Sequence, residues 1–321
     1  MGPFSKKKVA VGLPQIPVLT PLSFRYYRNP IYDDESAGPG LKIEIPVNDD
    51  QFLEAVTSTL DAIFNTAHGR LLIEELVTSG REIRISKTAS RGNSCDVGPN
   101  GLNLVARELA DPNLARIGLN TRAALGRVLL STQAAKYAWL AAQINSTPDY
   151  QLKGEPSSVG NDIGITAADV ESWFRDIGRI DFERGRTQEH KQHLANAIIV
   201  ALEPYADPGP GCGGAITFNS DPNFVSNTER PPGIGLAHEL IHAYWSVKGQ
   251  QVGWTVDAPT TVLFEYKCVG LGCWDSRLAK RICENQIRDE WFASTAPLFK
   301  LSDRVNRSSP VRRAFYTRPD G

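Results

Sequence analysis

Apolar residues in this chain recur at helical spacing in several stretches and alternate with polar ones in three short runs. The first run, Leu41-Lys42-Ile43-Glu44-Ile45, has the two-residue period of a half-buried strand. After it, Asp49 or Asp50 can cap a helix that carries Phe52, Val56, Leu60, Ile63 and Phe64 on one face. Gly69 breaks this pattern, and Arg70 to Val77 forms a second helical piece. Thr78-Ser79-Gly80 then turns the chain into a second alternating strand, Glu82 to Ser86.

From Gly101 to Tyr150 the pattern is helical and rich in Ala and Leu, with breaks near Asp111-Pro112 and Gly118. Gln151 to Gly164 reads as a loop. One helix starts at Thr166 and runs through Trp173 and Phe174, and another spans about Thr187 to Tyr205. The Pro/Gly-rich stretch from Asp207 to Gly214 excludes regular structure, and no Lys-Ser/Thr pair or helix follows that would make it a phosphate loop. The third strand, Ala215-Ile216-Thr217-Phe218, leads through a polar turn into an apolar helix. There are no internal repeats. Helix and strand in this order predict an α+β fold, mostly helical, with a small sheet.

The first forty residues carry Pro3, Pro14, Pro17, Pro21, Pro30 and Pro39 and few periodic apolar positions, which predicts an extended leader over 1–40. The folded domain is expected over 41–321, with a helical insertion at about 101–205. Lys6-Lys7-Lys8 reads as solvated charge, with a targeting role as the alternative; Pro3 argues against myristoylation at Gly2. Across 321 residues the formal net charge is −1, so no global field points to nucleic acid. No apolar run nears the roughly 20 residues of a membrane span, and the N-terminus has no secretory signal. The five cysteines are odd in number and not spaced as CxxC pairs, so reduced thiols are expected rather than a disulfide framework.

The chemistry concentrates in the apolar helix after the third strand. It reads His238-Glu239-Leu240-Ile241-His242, an HExxH pattern. Residues four apart share a helix face, so His238 and His242 can both present a ring nitrogen to one zinc ion. Glu239 then lies beside the ion's open position, where it can take a proton from the attacking water and pass it to the leaving amine. Ala237, Leu240, Ile241 and Ala243 predict a buried helix; Pro231, Pro232 and Gly233 stop any helix before it, and Gly249 is its C-terminal cap. The competing reading is a buried helix whose histidines merely satisfy core hydrogen bonds. The upstream strand Ala215, Ile216, Thr217 and Phe218 is expected to be the edge along which an extended substrate lies.

A catalytic zinc needs a third protein ligand. No His follows His242, so a carboxylate must serve, from among Asp257, Glu265, Asp275, Glu284, Asp289 and Glu290. Glu265 stands in the apolar stretch Thr261 to Tyr266, where an unpaired charge is costly, and is the first choice. Glu284 is second. His190 and His193 sit among polar residues and read as an exposed helix face, and His68 reads as a helix-end residue.

The run from His238 to Trp245 with the following Gly249, then Phe264 to Leu271, then Glu284 to Arg288, resembles the NleD-type zinc metallopeptidases. So do Thr66 to Leu72 after an amphipathic helix and Asn93 after a strand. These relatives are effectors that bacterial pathogens inject through type III secretion. The resemblance implies a zincin-like fold, one catalytic zinc ion, and cleavage of a host signalling protein of the kinase kind in the host cytosol. It supports His238 and His242 as ligands, Glu239 as base and Glu265 as third ligand. It also implies that the leader is a secretion signal, with a secretion chaperone as partner there. A weaker likeness concerns Arg313-Ala314-Phe315-Tyr316, which has the RxxY spacing of clostridial neurotoxin light chains. By that likeness, the Tyr316 hydroxyl would stabilise the oxyanion with Arg313 beside it. The alternatives are a catalytically weak zincin that binds a host protein, and a peptidase toxin released between bacteria.

Overall fold

Strand identity here follows from pairing as much as from alternation. The computed structural model describes residues 22–27, 41–46, 49–89, 92–110, 118–128, 132–146, 164–175, 188–220, 232–253, 263–271, 274 and 281–295. Five strands form one sheet: β1 (Leu22–Tyr26), β2 (Leu41–Pro46), β3 (Ile83–Lys87), β4 (Ser94–Val97) and β5 (Gly214–Phe218), in the order β1-β2-β3-β5-β4. The inner pairs β2–β3 and β3–β5 are parallel, and both outer pairs are antiparallel. Ile83 and Ile85 of β3 face the core with Arg84 outward, and Ile85 stands opposite Ile216 of β5.

β1 and β4 correct the sequence reading. Regular structure is present before Leu41: β1 lies inside the segment expected to be leader, zipped to β2 with Leu22 opposite Pro46. Tyr27 is buried after it and donates its hydroxyl to Asp61 Oδ1 at 2.6 Å. Pairing with β2 overrides the proline-rich surroundings that suggested an extended chain. Residues 1–21 of the expected leader lie outside the described residues.

α1 (Asp50–Phe64) forms as predicted. Asp49 caps it by accepting from the Phe52 amide at 3.1 Å, and Phe52, Val56, Leu60, Ile63 and Phe64 are buried. The break falls at Asn65-Thr66 and not at Gly69. Thr66 Oγ1 accepts from the Gly69 amide at 3.0 Å, so Gly69 belongs to the first turn of α2 (Ala67–Thr78). A Cβ there would stand 2.1 Å from the Ile63 carbonyl oxygen, so close backbone approach explains the glycine.

The described part of the stretch read as a helical insertion holds α3 (Leu104–Leu109), α4 (Leu119–Gly126), α5 (Gln133–Ser146), α6 (Ala167–Arg175) and α7 (Gln188–Leu202). Val105, Leu125, Leu140, Ile144, Leu194 and Ile198 give them their own hydrophobic core. Leu263, Tyr266 and Val269 of α9 (Leu263–Val269) are part of that core, so the helical region supports a later element directly. The second core lies under the sheet. There α8 (Pro232–Val247), the HExxH helix, packs beside β4 and β5 with Leu236, Leu240 and Ile241 buried. Ile287 and Trp291 of α10 (Glu284–Thr295) complete it.

α8 ends where expected. Gly249 adopts φ +63, its amide bonds the Ser246 carbonyl at 3.0 Å, and the Gln250 amide bonds that of Trp245 at 2.8 Å. The Pro/Gly-rich stretch before β5 lies along this end, with Gly209 N donating to Gly249 O at 2.7 Å. Its irregular backbone is thus satisfied by the helix it supports.

Gly69→Ala tests the tight approach of α1 and α2. Glycine to alanine in an exposed helix stabilises by about 1 kcal/mol. Here it is expected to destabilise by at least that much, because the methyl meets backbone. A thermal melt of the full chain reads the outcome, and an unchanged or higher Tm refutes the clash.

Candidate metal centre

The apolar sequence of α8 buries the helix on every side: Gly233 through Ser246 are all buried, including His238, Glu239 and His242. One helical turn separates the two histidines, and their rings meet edge-on with centroids 4.7 Å apart. The two Nε2 atoms are 3.1 Å apart. Glu265, in the first turn of α9, brings its Oε2 to 2.9 Å from His238 Nε2 and 3.5 Å from His242 Nε2. Its side chain keeps 16% exposure against 3% for that of His238, so the carboxylate closes the site on the side nearer solvent. The Phe264 ring stands edge-on to His242, 5.0 Å away, and walls the pocket.

The other edge of His238 is equally engaged. Glu284, the first residue of α10, is fully buried; its Oε2 lies 2.6 Å from His238 Nδ1, and its Oε1 accepts from Arg288 Nε at 2.6 Å. Cys268 Sγ donates to the His238 main-chain oxygen at 3.2 Å and sits 3.4 Å from Nδ1. A proton on Nδ1, held by the Glu284 carboxylate, leaves Nε2 as a bare acceptor. Nε2 of His238, Nε2 of His242 and Oε2 of Glu265 then form a triangle that favours positive charge between them, carried by protons or by a cation.

Electrostatics agree. Burial pushes the His238 imidazole down, but the Cys268 sulfur and the Glu265 carboxylate outweigh it and hold the pKa well above the ordinary histidine value. The same opposition brings His242 to about 10. Burial pushes Glu265 up, yet His242 and His238 hold it well below the usual carboxylate range. All three shifts mark a pocket that favours a cation. His238, His242 and Cys268 place ligating atoms within 4.8 Å of one another, a group positioned to hold a metal ion. Glu265 is better aimed than Cys268 at an ion shared by both Nε2 atoms, because the sulfur lies against the Nδ1 edge of His238.

Of the other carboxylates weighed, Glu290 is engaged by His68, accepting from its amide at 2.8 Å and pairing with its ring. That contact makes His68 a tie between α2 and α10, in the first turn of α2. Asp257, Asp275, Arg313 and Tyr316 lie outside the described residues. The sequence reading missed Cys268 and the role of Glu284. For Cys268 a signal existed: it stands three residues after Glu265, on the same face of a short helix. Among the described residues Cys95, Cys212, Cys268 and Cys283 form no disulfide. Burial pushes the Cys95 thiol of β4 well up, and the Glu239 carboxylate adds to it.

The substrate-edge assignment is corrected. β5, with Ala215, Ile216, Thr217 and Phe218, is paired with β3 on one side and with β4 on the other, so it offers no free backbone edge. β4 is the edge strand beside α8.

The fold is mostly helical α+β, with a small sheet alongside a buried helix that carries the HExxH pattern. Residues 42–295 match the family model Peptidase_M91, described as "Effector protein", and the chain belongs to that family. No curated protein matches the chain, and no solved structure does. An effector peptidase implies a host target, and no described helix is long and apolar enough to cross a membrane.

The geometry ranks two substitutions. Glu265→Ala is expected to weaken zinc binding more than Glu284→Ala, which acts through the orientation of His238 and costs about 10–100-fold. Competition with a chromophoric chelator measures both dissociation constants. The reverse ranking would make Glu284 the ligand.

Proposed function

We propose that this protein is a zinc-dependent endopeptidase, injected by a bacterium through type III secretion, that cleaves a host signalling protein of the kinase kind in the host cytosol. One observation carries the peptidase reading: the acceptor atoms of His238, His242 and Glu265 converge within 3.5 Å, with Glu239 buried on the same helix. The donor set of two imidazoles and one carboxylate fits a catalytic zinc site. Zinc, when bound there, supplies a Lewis acid that polarises the scissile carbonyl and acidifies water.

The chain's own residues do the rest. His238, His242 and Glu265 hold the ion. Glu284, steadied by Arg288, fixes the tautomer of His238. Glu239 takes the proton of the attacking water and returns it to the leaving amine. An extended substrate adds to the free edge of β4, so its main chain is read and its side chains remain open to selection. Membership of an effector family supports delivery by injection, with residues 1–21 as secretion signal and a chaperone as the partner that recognises it. Arg313 and Tyr316 are assigned to the oxyanion on their RxxY spacing.

The purified protein is expected to bind close to one zinc per chain, and His238→Ala and His242→Ala are each expected to lose most of it. Glu239→Ala keeps the zinc and loses peptidase activity by orders of magnitude. New N-termini in host lysate, compared between wild type and Glu239→Ala, read the activity. Identical N-termini in the two samples, with host proteins still captured, would make this a binding module instead.

Tyr316→Phe is expected to lower kcat on the order of 100-fold with KM little changed, since the hydroxyl acts only in the transition state. Zinc content and Tm stay at wild-type values. A change confined to KM would place Tyr316 in substrate binding.

A further inference from the structure

Lys267 is an unusual core residue. It is 1% exposed, and its ammonium bonds Glu203 Oε1 at 2.9 Å and the Gln250 carbonyl at 2.6 Å while lying 4.0 Å above the centre of the Trp245 ring. Arg281 reaches the other oxygen of Glu203 at 3.5 Å. Removing a lysine from water is expensive, and an apolar residue of the same length would fill the space without that cost. The arrangement therefore asks for a purpose beyond filling.

Its place in the chain suggests one. Lys267 is two residues after Glu265 on a helix of seven residues. Two residues turn a helix by about 200°, so the two side chains leave α9 on opposite sides and do not neutralise each other. So short a helix does not hold itself, and its position is set by what it touches. Lys267 touches three elements at once. Glu203 belongs to the short 3₁₀ turn Glu203–Tyr205 that ends the helical region, Gln250 follows the HExxH helix, and Trp245 lies on that helix three residues past His242.

We propose that Lys267 is a positioning residue for the metal centre, a clamp that fixes α9 against α8 and the helical region so that Glu265 faces His238 and His242. The inference rests on the reading of His238, His242 and Glu265 as metal ligands. It makes metal affinity depend on the helical region, which supplies Glu203 but no metal ligand.

The test is a double-mutant cycle in the full chain, read as the zinc dissociation constant by chelator competition. The visible spectrum of the cobalt-substituted protein serves as a second readout. Lys267→Met is expected to weaken zinc binding about 10–100-fold and to alter the cobalt bands. In a Glu265→Ala background the same change is expected to cost less than about threefold more, because a clamp has nothing left to position. Equal losses in both backgrounds would make Lys267 a merely structural residue and overturn the proposal. So would an unchanged constant for a cooperatively melting Lys267→Met. Should that variant fail to melt cooperatively, Glu203→Gln keeps the shape, removes the charge that holds the ammonium, and enters the same cycle under the same criteria. A Glu265→Ala protein that binds zinc as wild type would overturn the metal-centre reading and this inference with it; the other negative outcomes overturn this inference alone.

Discussion

Both ring nitrogens of His238 are committed, and the site depends on that. Glu284 takes Nδ1 at 2.6 Å, while Nε2 faces His242 and Glu265. A histidine with one free edge could turn, and its metal affinity would fall with each orientation it gained. Here the ring is locked by a carboxylate that is itself locked by Arg288. Burial strengthens each of these bonds and raises the cost of leaving any one unmade. Sequence order matters little to this arrangement, since the partners of His238 lie 27 and 46 residues away.

The two hydrophobic cores explain how such distant residues are held. α8 belongs to the sheet core and brings the histidines; α9 reaches into the helical core with Leu263, Tyr266 and Val269, yet Cys268 of the same helix packs in the sheet core. The candidate metal centre sits where the two cores meet. His238 and His242 come from one side and Glu265 from a helix that spans both, so forming the site requires both cores to be formed and docked.

The sequence made some of this legible and hid the rest, for physical reasons. The face of α1, the HExxH helix, the C-terminal cap at Gly249 and the strand Ala215-Ile216-Thr217-Phe218 were visible because each is local: a periodicity, a spacing, a glycine. Glu265 was visible as a charge in apolar company. β4 was not. It spans four residues, with only Val97 buried, and it is a strand because it pairs with β5. β1 was hidden behind prolines for the same reason. The place of β5 inside the sheet follows from its neighbours and cannot be read from its own residues, so the edge role was given to the wrong strand. Glu284 read only as the second choice of ligand, and nothing in the sequence singled out Lys267. Only the docking of α9 and α10 on α8 turns them inward.

Charge balance bears on whether the site is in use or a relic. Glu239, Glu265 and Glu284 are three carboxylates, with Arg288 as the guanidinium beside them; Glu239, Glu284 and Arg288 are each 5% exposed or less. Positive charge at Nε2 of His238 and His242, carried by protons or by a cation, offsets these carboxylates in surroundings where isolated negative charge is costly. A domain that only docked on a host protein would lose nothing by replacing Glu239 with a neutral residue, and would shed the cost of burying a carboxylate. Glu239 stands one residue after His238 and is only 5% exposed, so its buried carboxylate is the feature that the proposed peptidase reading explains and a mere binding module does not.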